Sequence, residues 1–145
     1  MTNARIGLGT QFWLDDDGDT LTKLTELTGI TTPNFQREDV EATHFESAGQ
    51  VREYIAGLID PGEGEYTFNL VPGDDTDLLL QAALDDGTAR DYEVILPTNT
   101  AGTTQKFAGT CIVKGIERDI PIDDRMTMTV NVRYTGAVTI TTETA

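Results

Sequence analysis

The chain has 145 residues, with 25 Asp+Glu against 10 Lys+Arg, a formal net charge of -15, a single cysteine and 38% hydrophobic residues. That carboxylate excess excludes proteins that grip nucleic acid through clustered cations, and no apolar run approaches the ~20 residues of a membrane-spanning helix. A chain of this length folds to roughly 7,300 Å² of surface from about 23,000 Å² unfolded, enough burial for one core, so residues 1–145 read as a single domain.

From the N-terminus, Gly7 to Leu14 alternates, with Leu8, Thr10, Phe12 and Leu14 on one face, the period of a half-buried strand. Asp15-Asp16-Asp17-Gly18-Asp19 predicts a turn, and Leu21 to Ile30 predicts the returning strand. Asp15, Asp17, Asp19 and Glu26 also fit the first, third, fifth and last positions of a calcium loop. Thr20 stands where that loop needs glycine, and strands flank it instead of helices. The segment therefore reads as a solvated acidic hairpin turn or as a weak calcium site.

Thr31 to Gly62 is a long connection, and structureless stretches of this length in compact domains are usually functional. Arg37 to Phe45 reads as a carboxylate-rich strand. Val51, Tyr54, Ile55, Leu58 and Ile59 then recur at the spacing of an apolar helix face, although Gly57 and Pro61-Gly62 oppose a stable helix. Two readings stay open: a loop folded over its own core, or a segment ordered against a partner chain.

Gly64 to Val71 alternates with Tyr66, Phe68 and Leu70 on one side. After Pro72-Gly73, the acidic start Asp74-Asp75-Thr76-Asp77, the stripe Leu79, Leu80, Ala83 and Leu84, and the stop at Gly87 predict a helix over about 74–86. Asp85 and Asp86 oppose its dipole at a small cost. Strands follow at Tyr92 to Leu96, Phe107 to Ile116 and Met126 to Tyr134, with Ala137 to Thr142 extending the last past Gly136. The fold class is mainly β: an antiparallel β-sandwich or barrel with one flanking helix and the long loop.

Catalytic chemistry finds little support. Ser47 is the only serine and His44 the only histidine, and three residues apart on an extended chain they would face opposite ways. Cys111 shares a face with Phe107 and Val113 and reads as a buried structural thiol. One Cys and one His make no zinc set, and no phosphate-cradling glycine motif occurs. Carboxylate pairs are too numerous to single out an acid and a base. The chain reads as a non-enzyme without cofactors.

The order of segments carries a resemblance. Gly9-Thr10-Gln11-Phe12-Trp13-Leu14 is answered by Leu21-Thr22-Lys23-Leu24-Thr25-Glu26-Leu27-Thr28. The long acidic loop, Glu65-Tyr66-Thr67-Phe68-Asn69-Leu70-Val71-Pro72-Gly73 and the Leu-rich helix follow, then Asp86-Gly87-Thr88-Ala89-Arg90-Asp91-Tyr92 and Phe107-Ala108-Gly109. From about Gly7 to Thr141 the chain resembles the major tail tube protein of long, flexible-tailed bacteriophages, and closely the N-terminal tube domain of the lambda-like group. Ending at Ala145, it is expected to be the tube domain without the added immunoglobulin-like domain of some relatives.

That resemblance implies a structural subunit of the virion tail, made in the bacterial host cytoplasm. Six copies form a ring, and rings stack into a hollow tube through which DNA is ejected without specific binding. Its partners would be other copies of itself and the tape-measure, tail terminator and baseplate proteins. The long loop would reach a neighbouring ring, which makes Val51, Tyr54, Ile55, Leu58 and Ile59 the expected contact residues. Glu38, Asp39, Glu41, Glu65 and Glu93, on polar strand faces, are candidates for an acidic lumen. A type VI secretion-like tube protein and a soluble acidic β-sandwich that binds calcium or a protein partner are the alternatives.

Overall fold

The computed structural model describes residues 6–16, 20–98 and 102–144. The strands are β1 (Gln11–Asp15), β2 (Leu21–Leu24), β3 (Leu27–Ile30), β4 (Gln36–Glu41), β5 (Tyr54–Asp60), β6 (Glu63–Asn69), β7 (Arg90–Ile95), β8 (Thr103–Asp119) and β9 (Thr127–Thr144), with the helix α1 (Asp75–Asp86) between β6 and β7. Seven of them form one sheet in the order β2-β1-β7-β8-β9-β6-β3, and β4 and β5 form a separate ribbon. All pairings are antiparallel.

The large sheet is folded over on itself. Strands β1 and β6 lie four places apart in its order, yet the rings of Phe12 and Tyr66 stack with centroids 4.2 Å apart. Alternation explains which side is dry. Phe12 and Leu14, Tyr66 and Phe68, Tyr92 and Val94, and Met128, Val130 and Val132 are all buried, while the threonines and charges between them face outward. Each such side chain contributes about 1.5–3 kcal/mol through burial.

The predicted strand Leu21 to Ile30 is in fact two strands. Glu26 takes a left-handed φ of 66°, and the chain turns a corner there from one edge of the sheet to the other. Asn69 holds the corner, its backbone N–H donating to the Glu26 carbonyl at 2.8 Å and its Nδ2 to the Glu26 carboxylate at 3.0 Å. Thr76 of the helix accepts from the Thr25 N–H at 3.0 Å.

The helix matches its expected bounds. Asp74 caps its start by accepting from the Asp77 N–H at 2.8 Å, and Gly87 ends it at φ 70°. Leu80 and Ala83 enter the core, and Arg118 of β8 holds the first turn through Asp77 at 2.7 Å. The unfavourable Asp86 at the C-terminus is met by buried Arg90 at 3.3 Å, whose Nη1 also donates to the Asp15 carbonyl at 3.0 Å.

Phe107 to Ile116 lengthens to the whole of β8, and the two last predicted strands are one, β9, bent at Gly136 with φ 74°. Just before the bend, the Tyr134 ring lies over the backbone of Gly64. A Cβ built on Gly64 would fall 2.6 Å from Tyr134 Cε2. The Tyr66 hydroxyl donates to the Tyr134 hydroxyl, which donates to the Thr31 carbonyl at 3.1 Å. Burial pushes the Tyr134 phenol up to about 12 and drives Tyr66 higher still.

Gly64→Ala should destabilise the fold by about 2 kcal/mol, because the ring has no room to retreat. Tyr134→Phe should cost about 1–3 kcal/mol by leaving the Tyr66 hydroxyl unpartnered. Urea unfolding followed by circular dichroism measures both.

Candidate functional site

The segment 31–62 is an extended two-stranded ribbon standing off the sheet. The apolar spacing of Tyr54, Ile55, Leu58 and Ile59 belongs to a strand, β5, and not to a helix face. Pairing with β4 decides this, since Val40 opposes Ile55, Glu41 opposes Tyr54 and Arg37 opposes Ile59. A register shift sits between Arg37 and Asp39. There Gly57 approaches so closely that an added Cβ would fall 3.0 Å from the Glu38 carbonyl. Neighbouring residues of a strand point to opposite faces, so Tyr54 and Ile55 do not share one, and Val51 lies outside the strand, beyond the short turn Ala48–Gln50.

The ribbon is not folded over the core. Every residue of β4 is exposed, as are Phe35, Phe45, Val51, Tyr54, Ile55 and Ile59, and Leu58 is 84% exposed. A groove lined by Leu58, Ile59, Ile112 and Gly136 separates its base from the bend of β9.

Charge fixes the base. Arg133 Nη2 donates to both Asp60 oxygens at 3.1 Å, and Lys114 reaches Glu63 at 2.5 Å. The Gly62 N–H donates to Asp60 at 2.9 Å, and the Tyr134 N–H to the Gly62 carbonyl at 3.0 Å. The Gly62 N–H and the Arg133 guanidinium hold the Asp60 carboxyl below its ordinary range. The Lys114 ammonium does the same for Glu63.

At the far end the chain turns, and His44 and Ser47 meet instead of facing apart. Ser47 Oγ lies 3.1 Å from His44 Nδ1 and donates to Glu53 at 2.8 Å. The hydroxyl proton thus goes to the carboxylate, with the serine between histidine and glutamate. A nucleophilic triad needs the histidine in the middle to take that proton. The cluster closes the ribbon tip, with His44 exposed. Cys111 is buried, and burial pushes its thiol up to about 12, leaving an inert side chain.

The acidic candidates fall on separate surfaces. Glu38, Asp39 and Glu41 lie on the ribbon. Glu65 on β6 and Glu93 on β7 lie on the outward face of the sheet, where Glu93 meets Lys106 at 3.5 Å. Asp91, which alternation on β7 would also have indicated, shares that outward face and accepts from Thr110 at 3.4 Å. Of the calcium candidates, Asp17 and Asp19 lie outside the described residues. Asp15 pairs with Leu21 at one end of β2, and Glu26 lies past its other end, occupied by Asn69. A strand between them replaces the coil of a calcium loop. Among the described residues no cluster suited to a metal ion occurs.

A second open feature is the upper half of β9. Its residues 127–133 pair with β6 on one side, whereas 135–144 pair only with β8. The opposite edge of that half has no strand beside it among the described residues.

The fold is that of a mainly β protein with one helix, and solved structures share it. It superposes on the tail of an empty gene transfer agent particle, determined by helical refinement with C6 symmetry, with a TM-score of 0.74 and 21% identity over 95% of this chain and 99% of that one. The SPP1 tail tube matches with a TM-score of 0.71 and 12% identity over 97% and 80%. A chain of the six-fold symmetrised anti-feeding prophage baseplate matches at 0.66 and 10% identity over 99% and 97%. No curated protein matches in sequence. The family model for the lambda phage tail tube protein matches residues 9–141, and the chain belongs to that family. It is a structural component of the virion tail.

Acid should loosen the ribbon before the core. Because Asp60 and Glu63 titrate below their ordinary values, their clamps are present above the usual carboxylate pKa of ~4 and are lost as pH falls through the lowered values. Amide exchange in β4 and β5 should quicken below about pH 4 while β6 and β9 stay protected. Asp60→Asn should remove part of that pH dependence.

Proposed function

We propose that six copies of this chain close into a ring and that rings stack into a hollow tube conducting DNA out of the virion. The single observation that carries this reading is the ribbon, an apolar surface held out from the core by charge clamps. A two-stranded ribbon is at best marginally stable alone in water, and exposed apolar patches of this kind mark protein contacts. The unpaired half of β9 supports the lateral contact, since a free strand edge is a template for another strand and closure into a larger barrel removes it.

The carboxylate excess suits the conduit. A lumen bearing Glu65 and Glu93, with Glu38, Asp39 and Glu41 from the ribbon, repels phosphate, so DNA slides instead of adhering. The same charge opposes association of free subunits until salt or an initiating surface offsets it. Tape-measure, terminator and baseplate proteins would set the length and ends. The subunit itself performs no chemistry and needs no cofactor.

Negative-stain electron microscopy of the purified protein over a concentration and salt series tests this, with rings or tubes expected as salt rises. Ile55→Asp and Leu58→Asp should abolish them while thermal unfolding stays within about 0.5 kcal/mol of the unaltered protein, as for exposed sites. Loss of the folded monomer instead would make the ribbon part of the core. Virions carrying Glu38→Gln, Asp39→Asn, Glu41→Gln, Glu65→Gln and Glu93→Gln together should eject DNA more slowly. An unchanged ejection rate would remove these residues from the lumen.

A further inference from the structure

Strands β6 and β9 part like the legs of a fork. Their antiparallel pairing runs as far as Glu63 opposite Arg133, and one step further the Tyr134 N–H donates to the Gly62 carbonyl at 3.0 Å. The Gly62 N–H turns away from β9 to the Asp60 carboxylate at 2.9 Å. A glycine of left-handed φ stands on each leg at the fork, Gly62 at 78° and Gly136 at 74°. Beyond it the legs are β5, read backwards from Asp60, and residues 135–144 of β9. Among the described residues each is paired on one side only, β5 with β4 and this half of β9 with β8. A groove of about 390 Å³ separates them, lined by Leu58, Ile59 and Pro61 on one leg and Thr135 and Gly136 on the other.

Composition leaves both legs unprotected. In a chain of net charge -15, neither Tyr54 to Ile59 nor Thr135 to Thr142 contains a charged residue. Free strand edges are ordinarily blunted by charge. Strand β4 is the reverse, with Arg37, Glu38, Asp39 and Glu41 filling four of its six positions. Leu58 on one leg is 84% exposed and Ile140 on the other 47%, so bringing the legs together removes apolar surface from water.

We propose that the ribbon of the free subunit has a second, closed position, in which β5 swings about Pro61–Gly62 and adds to the free edge of β9 over residues 137–142. The ribbon moves as a unit, since β4 and β5 stay paired. The sheet then continues β8-β9-β5-β4 and ends on a strand whose charges repel further strands. Closure covers the edge that the tube reading gives to a neighbour in the ring. The inference rests on that reading for its consequence and not for the closed position itself. The ribbon is a strap that caps its own subunit until a growing assembly competes for the edge.

A cysteine scan tests the closed position in the monomer. Ile55→Cys is combined in turn with Thr139→Cys, Ile140→Cys, Thr141→Cys, Thr142→Cys and Glu143→Cys, which spans the register left open by the irregularities of both ladders. All six sites are exposed or half-buried, and Cys111 is buried and takes no part. After circular dichroism verifies the fold, each variant is oxidised at low salt and high dilution, and the intramolecular disulfide is followed by mass spectrometry. The bond needs Cα atoms within about 7 Å of each other. Closure predicts one register that bonds roughly tenfold faster than the adjacent positions, whose side chains point to the opposite face. Equal slow rates at all five positions, as from random collision, or no bond at any of them, would overturn the proposal. The bonded form of the fastest pair should stay monomeric in sedimentation velocity as salt rises and associate once dithiothreitol is added. Association of the bonded form at the rate of the reduced one would overturn the capping role. Failure of the unaltered protein to associate at all counts against the tube reading, while the disulfide rates still decide the closed position.

Discussion

The contact between the Tyr134 ring and the bare backbone of Gly64 governs where the sheet divides. Up to that point β9 runs between β6 and β8; beyond it, past Gly136, β9 continues beside β8 alone. The ring fills the space a side chain at 64 would take, and its hydroxyl joins Tyr66 to the Thr31 carbonyl, where the chain leaves for the ribbon. One aromatic residue thus pins the fold-over, the bend in β9 and the departure point of the ribbon. A buried hydroxyl network of this kind is stabilising only when each member has a partner. Here the donors run in sequence from Tyr66 to Tyr134 to a backbone oxygen.

Around that point the molecule spends its few cations carefully. With 10 Lys+Arg against 25 Asp+Glu, five of the cations tie elements together. Arg90 links the helix end to β1 and Arg118 links the helix start to β8. Lys106 crosses β7 and β8, while Lys114 and Arg133 hold the ribbon base. Exposed ion pairs are individually weak, but these stand at the junctions between elements, where they add to the apolar packing of the helix and the sheet. The carboxylates left over face solvent and give the surface its repulsive character.

A ribbon with its apolar residues in water costs free energy in the monomer, and the proposed contact with another copy would offset that cost. Membership of a tail tube family supplies the context in which copies meet. In the proposed assembly the clamps at Asp60 and Glu63 would act as positioning devices, keeping the ribbon extended before any contact forms and so lowering the ordering entropy of association. The hydrogen-bonded turn of His44, Ser47 and Glu53 closes the tip of the same ribbon.

Local patterning made much of this fold legible in the chain itself. The inward faces of β6, β7 and β9 follow from a period of two, and the helix follows from Asp74, its Leu stripe and Gly87, because caps and alternation act within a few residues. The ordered segments around Phe12, Tyr66 and Phe107 carried the family resemblance for the same reason. Long-range pairing lay beyond such rules. Val51, Tyr54, Ile55, Leu58 and Ile59 fit a helical period by spacing alone, and only the partner strand β4 makes four of them a strand. The corner at Glu26 depends on Asn69, brought to it by the completed fold, and the local meeting of His44 with Ser47 depends on a turn that alternation does not signal. Sequence determined which faces are dry and where the helix lies; tertiary structure decided that 31–62 projects, because exposure is a property of what the rest of the chain leaves uncovered.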